Sequence, residues 1–147
     1  MPKSLTSKPL VEPHVADAFK MQGFMTHIGA SLIRASNGKA VVQAPFCKEV
    51  TQHHGQFHGG FTATLADTAA GFAALSLLPS THSIVTVEFK INFLTRASAK
   101  LLRATGEVLR AGQTLITVRA FVEAITDRNV TTTAEMVGTM FALQPKP

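Results

Sequence analysis

The sequence contains few of the residues that build disulfides, zinc sites and nucleic-acid-binding surfaces. Its 147 residues include one cysteine, Cys47, and no tryptophan or tyrosine. One cysteine forms no internal disulfide and no cysteine-based zinc site, which argues against a disulfide-rich secreted module and fits a reducing compartment. Lys and Arg outnumber Asp and Glu by 14 to 9, yet no three basic residues are adjacent. We therefore expect no nucleic-acid partner, and we expect the positive surplus to favour a small anionic molecule.

Charge is scarce in one stretch that could suggest a membrane span. Residues 61–78 contain a single charged residue, Asp67. An Asp at the middle of a membrane helix costs about 2.5–3.5 kcal/mol, and the small residues around it add little insertion energy. We therefore predict a buried helix in a soluble protein and no membrane partner. Residues 1–10 have no continuous apolar stretch, which argues against a secretory signal and favours a cytoplasmic location.

The length and the 46% hydrophobic content predict one domain that covers residues 1–147. Apolar residues at three-to-four spacing predict a helix over residues 12–24 that stops at Gly23, within an N-terminal helical extension of residues 1–26. Asn37-Gly38 lies between the apolar runs 28–35 and 39–44. Both residues accept the positive φ of a tight turn, so the pair predicts a β-hairpin.

A central helix and a sheet are predicted for the rest of the chain. The helix begins near Gly59 and ends before Pro79, and it is apolar nearly all round. Residues 85–93 alternate with period two, which predicts a half-buried strand with the odd-numbered, apolar residues on one face. Further strands are predicted at 101–109, 115–124 and 131–143, with a turn at 110–113. Because one sheet face cannot cover such a helix, we expect five or six antiparallel strands to curl around it, an α+β architecture.

Small residues along the helix predict a close approach by the sheet or by another subunit; they are Ala63, Ala66, Ala70, Gly71 and Ala74. A curled open sheet also has edge strands with unpaired N–H and C=O groups. We therefore expect two copies to join their sheets in a dimer.

The segment most indicative of chemistry is residues 51–67, TQHHGQFHGGFTATLAD. It places three histidines and three glycines before the helix and one carboxylate, Asp67, two turns inside it. The glycines allow a ligand to approach the backbone, and the first amides of a helix are unpaired donors that can stabilise an oxyanion. A buried Asp is costly unless it is paired or used in the reaction.

The spacing within this segment predicts a site shared between two chains. Asp67 follows Gly59 by eight residues, about 12 Å along a helix axis at 1.5 Å per residue. One carbonyl group cannot contact both groups of the same chain. If two copies of the helix pack antiparallel across a two-fold axis, Asp67 of one chain faces the Gly59 amide of the other, and two equivalent sites form.

The sequence resembles the hotdog-fold acyl-CoA thioesterases in three features. They are the motif HGG (His58 to Gly60) followed seven positions later by Asp67, the strand VTVEFKINFL and the turn RAGQTL. The resemblance is to the phenylacetate-degradation type within the 4-hydroxybenzoyl-CoA thioesterase-like superfamily, and it covers residues 28–143. It implies a hotdog fold, in which a curved antiparallel sheet wraps around a long central helix. It also implies hydrolysis of an acyl-CoA thioester by a homodimer or homotetramer, with no cofactor apart from the coenzyme A of the substrate.

The resemblance assigns catalytic roles residue by residue. Asp67 would act as nucleophile or as general base towards water, and the Gly59 amide would stabilise the oxyanion. Gln52 stands where the family has Asn, so its amide reaches one methylene further, and Thr86 stands at the position that orients water. We expect His58 to order its loop through hydrogen bonds rather than to act as a base.

The resemblance also assigns residues to substrate binding. The stretch 93–98 and the turn 110–115 would hold the nucleotide and phosphates of coenzyme A. Arg96, Arg110, Gly112 and Gln113 are the candidates, because Arg grips phosphate oxygens in a fork. We expect the acyl pocket to be lined by residues from among Phe57, Phe61, Leu65 and Phe72, and Phe61 is the one assigned to substrate binding.

Several alternative interpretations stay open. Asp67 could be a structural residue paired with Thr64 or Gln52, and the turn at 110–113 could be an ordinary turn. His53 and His54 could bind metal with His58, but adjacent histidines point apart and no fourth ligand is evident, so we expect no metal. Cys47 has no nearby histidine partner and is a poor nucleophile candidate. At the level of function, the alternatives are a non-catalytic acyl-CoA or fatty-acid sensor and a hotdog dehydratase.

Overall fold

The computed structural model describes residues 9–146. They form six antiparallel strands in one sheet, ordered β1-β2-β4-β5-β6-β3, with one long helix against it. The elements in chain order are α1 Pro13–Lys20, α2 Gly23–His27, β1 Ser31–Ser36, β2 Lys39–Pro45, a 3₁₀ turn Lys48–Val50, α3 Gly59–Leu75, β3 Ser83–Phe93, β4 Leu101–Ala111, β5 Leu115–Ile125 and β6 Val130–Leu143.

The sheet curves around α3, which confirms the predicted hotdog architecture. Ten of the 17 residues of α3 are buried, and the helix contacts all six strands. Six strands spaced about 4.8 Å apart span roughly 24 Å, more than twice the diameter of one helix, so only a curled sheet can reach it with every strand. No helix among residues 9–146 has the length and apolar character needed to cross a membrane.

The closest approach between α3 and the sheet is at Gly106 of β4. A Cβ atom there would lie 2.3 Å from the Ala69 carbonyl oxygen, a backbone atom that cannot move aside. Of the predicted small-residue seam, Ala66, Ala70 and Ala74 are fully buried, whereas a Cβ at Gly71 would meet nothing within 4 Å in this chain. The glycine that permits the close packing is therefore on the strand.

The hairpin prediction is confirmed, and the prediction for the N-terminal extension is partly wrong. Asn37 and Gly38 both have positive φ, 53° and 73°, between β1 and β2. Gly23, predicted to end a single helix, instead begins α2, because the chain is extended at Gln22 with φ −82° and ψ 96°. Residues 1–8 of the predicted extension lie outside the described residues. They include most of residues 1–10, for which no secretory signal is predicted.

Strand β3 is where the structure departs most from the prediction. It forms one edge of the sheet, and most of its residues are exposed rather than half-buried. Thr86 pairs with Met140 of β6 and Glu88 pairs with Thr139, so Val87 is an extra residue in a β-bulge. A bulge reverses the alternation of faces. Thr86 consequently shares the helix-facing side with Phe89, and the predicted single face of odd-numbered residues does not exist.

The predicted turn at 110–113 begins too early in the chain. β4 continues to Ala111, with Arg110 paired to Thr117 and Ala111 to Ile116. The connection to β5 is therefore residues 112–114. A second bulge, between Val108 and Arg110, lets the strand continue past the expected end.

Candidate functional site

Asp67 is held between the central helix and the edge strand. The Thr86 hydroxyl donates a 2.7 Å hydrogen bond to Asp67 Oδ1, and the carboxyl group is half-buried. Burial raises the pKa of the Asp67 carboxyl above its ordinary value of 3.8, and the hydrogen bond from Thr86 lowers it in part. The bulge at Val87 is the local feature that turns Thr86 towards the helix, so two separate elements position this carboxylate.

The N-terminus of α3 is capped by His58. Its Nδ1 accepts a 2.8 Å hydrogen bond from the Gly60 amide, so the ring proton must be on Nε2. The His58 carbonyl accepts from the Thr62 amide at 3.1 Å. No described residue accepts a hydrogen bond from the Gly59 N–H, which leaves one donor of the first turn open. The expected loop-ordering role of His58 matches this geometry.

Gln52, Gly59 and Arg96 line one hollow of about 360 Å³. The loop that carries Gln52 turns at Gly55, which has φ 76°, and the Gln52 Oε1 atom accepts a hydrogen bond from the His54 amide. With its oxygen occupied, the Gln52 side chain presents its NH₂ group as the remaining donor. The hollow thus contains an open backbone amide, a side-chain amide and a guanidinium group, which together suit a carbonyl oxygen and an anion.

Comparison with known proteins identifies the family of this chain. The family model of the thioesterase superfamily matches residues 54–131. The chain belongs to the thioesterase superfamily. A thioesterase family protein from Silicibacter pomeroyi has a similar structure, with a TM-score of 0.87 and 34% identity over 89% of this chain and 96% of that one.

Two further relatives of this thioesterase-superfamily chain carry more specific descriptions. The 1,4-dihydroxy-2-naphthoyl-CoA hydrolase of Listeria monocytogenes is 32% identical over 91 residues, 62% of this chain and 74% of that protein. The structure of the BH2602 protein from Bacillus halodurans, determined with CoA, has a TM-score of 0.72 and 29% identity over 88% of this chain and 82% of that one. These relatives support thioester hydrolysis as the general type of reaction for this superfamily member.

The two halves of the predicted catalytic site are separated within one chain of this superfamily member. Asp67 does not line the hollow of Gly59, and a separation of eight helical residues places it about 12 Å further along α3. The structure therefore brings Thr86 to Asp67, and Gln52 to Gly59, but does not join these two pairs.

The predicted coenzyme A residues are also divided. Arg96 precedes β4, whereas Arg110 lies at the far end of this strand, which is 11 residues or roughly 36 Å long. The Gly112 amide donates a 2.9 Å hydrogen bond to the Leu115 carbonyl, so it is already used within the turn. Gln113 is exposed beside it. Within one chain, Arg110, Gly112 and Gln113 therefore lie at the opposite end of the sheet from Arg96.

Phe61 lines a larger cavity of about 710 Å³ together with His58 and residues of the N-terminal extension. The Phe61 ring stacks on that of Phe57, with centroids 5.5 Å apart. Sequence analysis missed Phe24 and Ile28 as lining residues of this cavity. An apolar Phe24 on a short extension was the available signal, but nothing in its spacing showed that the extension folds back to α3.

The other histidines of the segment do not form a metal site. The His53 and His54 rings contact each other with centroids 3.9 Å apart. Among residues 9–146, no three His, Cys, Asp or Glu side chains are grouped so that they could hold a metal ion.

Proposed function

We propose that this protein hydrolyses acyl-CoA thioesters as a dimer, with each active site built from both subunits. The observation that carries the proposal is the separation of Asp67, with its Thr86 hydrogen bond, from the open Gly59 amide on the same helix. The Asp67 carboxylate can act on a thioester carbonyl bound at a Gly59 amide only if both groups lie at the same site. The reaction needs no cofactor beyond the coenzyme A of the substrate.

The edge strand β3 provides the surface for the second subunit. It is the last strand of the sheet, and its exposed apolar side chains include Val85, Val87 and Phe93, each about half exposed. Exposed apolar edge strands are prone to pair with another chain. Antiparallel pairing of two β3 strands across a two-fold axis would extend the sheet and set the two α3 helices antiparallel. Asp67 would then face Gly59 of the partner subunit.

The same pairing would complete the coenzyme A site. Arg96 lies at one end of β4, and the 112–114 turn lies at the other end. A two-fold axis near the middle of β3 exchanges the two ends of the sheet. It would therefore carry the turn of one subunit towards Arg96 of the other, where the two arginines, Arg96 and Arg110, could share the phosphates.

In the proposed reaction, the thioester carbonyl oxygen accepts hydrogen bonds from the Gly59 amide and the Gln52 side-chain amide. Asp67 of the other subunit either attacks the carbonyl carbon itself or takes a proton from the water that attacks it. The oxyanion is stabilised by the two amide donors while the C–S bond breaks. The coenzyme A sulfur leaves as a thiolate and takes up a proton. If Asp67 is the nucleophile, water then hydrolyses the mixed anhydride that has formed and releases the carboxylic acid and free Asp67. If Asp67 is the base, the attacking water itself supplies the second oxygen of the carboxylic acid. Thr86 keeps the Asp67 carboxylate oriented throughout.

The experiment measures hydrolysis of a panel of aliphatic and aromatic acyl-CoA thioesters. The release of free coenzyme A thiol is the signal. We expect the purified protein to hydrolyse at least one class, and we expect Asp67→Asn to reduce kcat by about 10²–10⁴-fold while the variant remains folded. The proposal is overturned if no thioester of the panel is hydrolysed or if Asp67→Asn is fully active. A pure acyl-CoA sensor would bind the panel without turnover and would have no use for the half-buried carboxylate.

A further inference from the structure

Two cavities open on neighbouring faces of the first turn of α3. His58 and Phe61, three residues apart, line the cavity of about 710 Å³, whereas Gly59 and Thr62 line the hollow of about 360 Å³. Residues three apart lie on the same side of a helix, so the two openings flank the Gly59 amide. A thioester whose carbonyl lies at that amide would extend one limb into each cavity.

The chemistry of the two cavities differs. The larger one has no Lys or Arg among its lining residues, and its walls are mainly apolar: Phe24, Ile28, Pro45, Cys47, Val50 and Phe61. Its polar lining residues are His27, Glu49, Thr51 and His58. The smaller one contains Arg96 and two glutamines, Gln52 and Gln56, beside the rings of Phe57 and Phe93. An apolar acyl chain fits the first cavity, and the polar, anionic limb of coenzyme A fits the second.

The N-terminal extension forms a fixed outer wall of the larger cavity. The Glu12 amide donates a 2.8 Å hydrogen bond to the Ala35 carbonyl, and Val15 and Met25 are fully buried. The rings of Phe19 and Phe72 pack with centroids 5.9 Å apart, which ties α1 to α3. The extension is therefore part of the packed domain, and it holds Phe24 against the cavity although the Phe24 side chain is 54% exposed.

We propose that this cavity binds the acyl chain of the substrate and that Phe24 on α2 sets the chain length. The inference rests on the proposed function and extends it to the substrate class, an apolar acyl group of medium length. A volume of about 710 Å³ lies in the upper part of the roughly 300–1,000 Å³ range of pockets that hold small organic ligands. An acetyl group would leave most of it empty, whereas each methylene buried there should strengthen binding about fourfold.

The test measures binding separately from hydrolysis. The probes are S-ethyl-, S-hexyl- and S-decyl-CoA, thioethers that no thioesterase cleaves, titrated calorimetrically into the full-length protein. We expect the hexyl thioether to bind more than tenfold more tightly than the ethyl thioether. Phe24→Trp, which narrows the cavity, should shift the preference towards shorter chains, and Phe24→Ala should shift it towards longer ones. The inference is overturned if chain length has no effect on affinity or if both variants keep the wild-type profile.

Met21→Ala is the matched control. Met21 is on the same extension and is 85% exposed, but it does not line the cavity, so its replacement should leave the profile unchanged. The melting temperature of each variant is measured alongside, and we expect it to be close to that of the wild type because Phe24 is largely exposed. A Met21→Ala profile that shifts as the Phe24 profiles do would also overturn the inference.

Hydrolysis of acetyl-, hexanoyl- and decanoyl-CoA by the same variants distinguishes the two proposals. If affinity follows chain length and Phe24 but nothing is hydrolysed, the acyl-binding inference stands and the proposed function fails. If the wild type hydrolyses the thioesters with a profile that Phe24 does not affect, the proposed function stands and the inference fails.

Discussion

Thr86 donates a 2.7 Å hydrogen bond to Asp67, and this contact joins the sheet edge to the central helix at the single carboxylate of the 51–67 segment. The hydroxyl opposes the effect of burial, which by itself raises the pKa of Asp67. The hydrogen bond therefore favours the charged, reactive form of the carboxylate.

Thr86→Ala should shift the pH dependence of hydrolysis. Without the hydroxyl, the pKa of Asp67 rises further, so the acidic limb of the kcat/KM profile moves to higher pH. Thr86→Ser keeps a hydroxyl donor and should restore the wild-type limb. The assignment is wrong if the acidic limb of Thr86→Ala coincides with that of the wild type.

Gly59→Pro should remove the oxyanion donor without disturbing the helix. Proline is favoured at the first position of a helix, and His58 already has the extended backbone, φ −65° and ψ 137°, that a following proline requires. Loss of one such donor typically lowers kcat by about 10²–10³-fold.

Gly59→Ala is the control for this change. It adds a similar Cβ, about 3.3 Å from the movable Phe93 ring, but keeps the N–H. It should retain much more activity than Gly59→Pro at an equal melting temperature. Equal activity of the two variants would show that the amide plays no part.

Asp67→Asn should make the protein more stable at neutral pH although it removes activity. Because burial raises the folded-state pKa above the ordinary value of 3.8, the native protein binds more protons than the unfolded chain in the window just above pH 3.8. Stability linked to Asp67 is therefore present at acid pH and is lost as the pH rises through the folded-state pKa. As the pH rises across this window, the melting temperature of the wild type should fall relative to that of Asp67→Asn. A variant that is less stable at neutral pH would contradict the direction of the pKa shift.

Gly106→Ala should destabilise the fold by about 1–3 kcal/mol, because its Cβ would overlap the Ala69 carbonyl oxygen on the opposing helix backbone. Gly71→Ala provides the contrast. Nothing lies within 4 Å of its Cβ, and alanine favours a helix interior by about 0.5–1 kcal/mol over glycine. Urea unfolding measures both changes, and a Gly106→Ala protein as stable as the wild type would exclude the close contact.

The parts of this fold that local patterns determine were predictable from the sequence. Asn37-Gly38 makes its own turn, and the largely apolar character of residues 61–75, with Asp67 as the single charge, predicts a buried helix. The bulge at Val87 was not predictable, because it depends on which residues of β6 pair with β3. For the same reason, only the family resemblance predicted Thr86 as a site residue. The period-two alternation of residues 85–93 alone would place Thr86 on the polar face.

The candidate site divides in the same way. The HGG segment and Asp67 stand out as glycines before a helix and as a lone charge in an apolar stretch. The contribution of α2 to the large cavity depends on how the extension packs on α3, through contacts such as that of Phe19 with Phe72, which lie far apart in the sequence. No local pattern encodes such a contact.

The most direct test of the shared site is complementation between two inactive variants. Asp67→Asn and Gly59→Pro are unfolded together, mixed in equal amounts and refolded. In a mixed dimer with shared sites, one site carries both defects and the other carries neither. Because random pairing makes about half of the dimers mixed and one site in each is intact, the mixture should recover about a quarter of wild-type activity. If Asp67 and Gly59 of the same chain form each site, every site carries one defect, and the mixture will remain as inactive as the two variants alone.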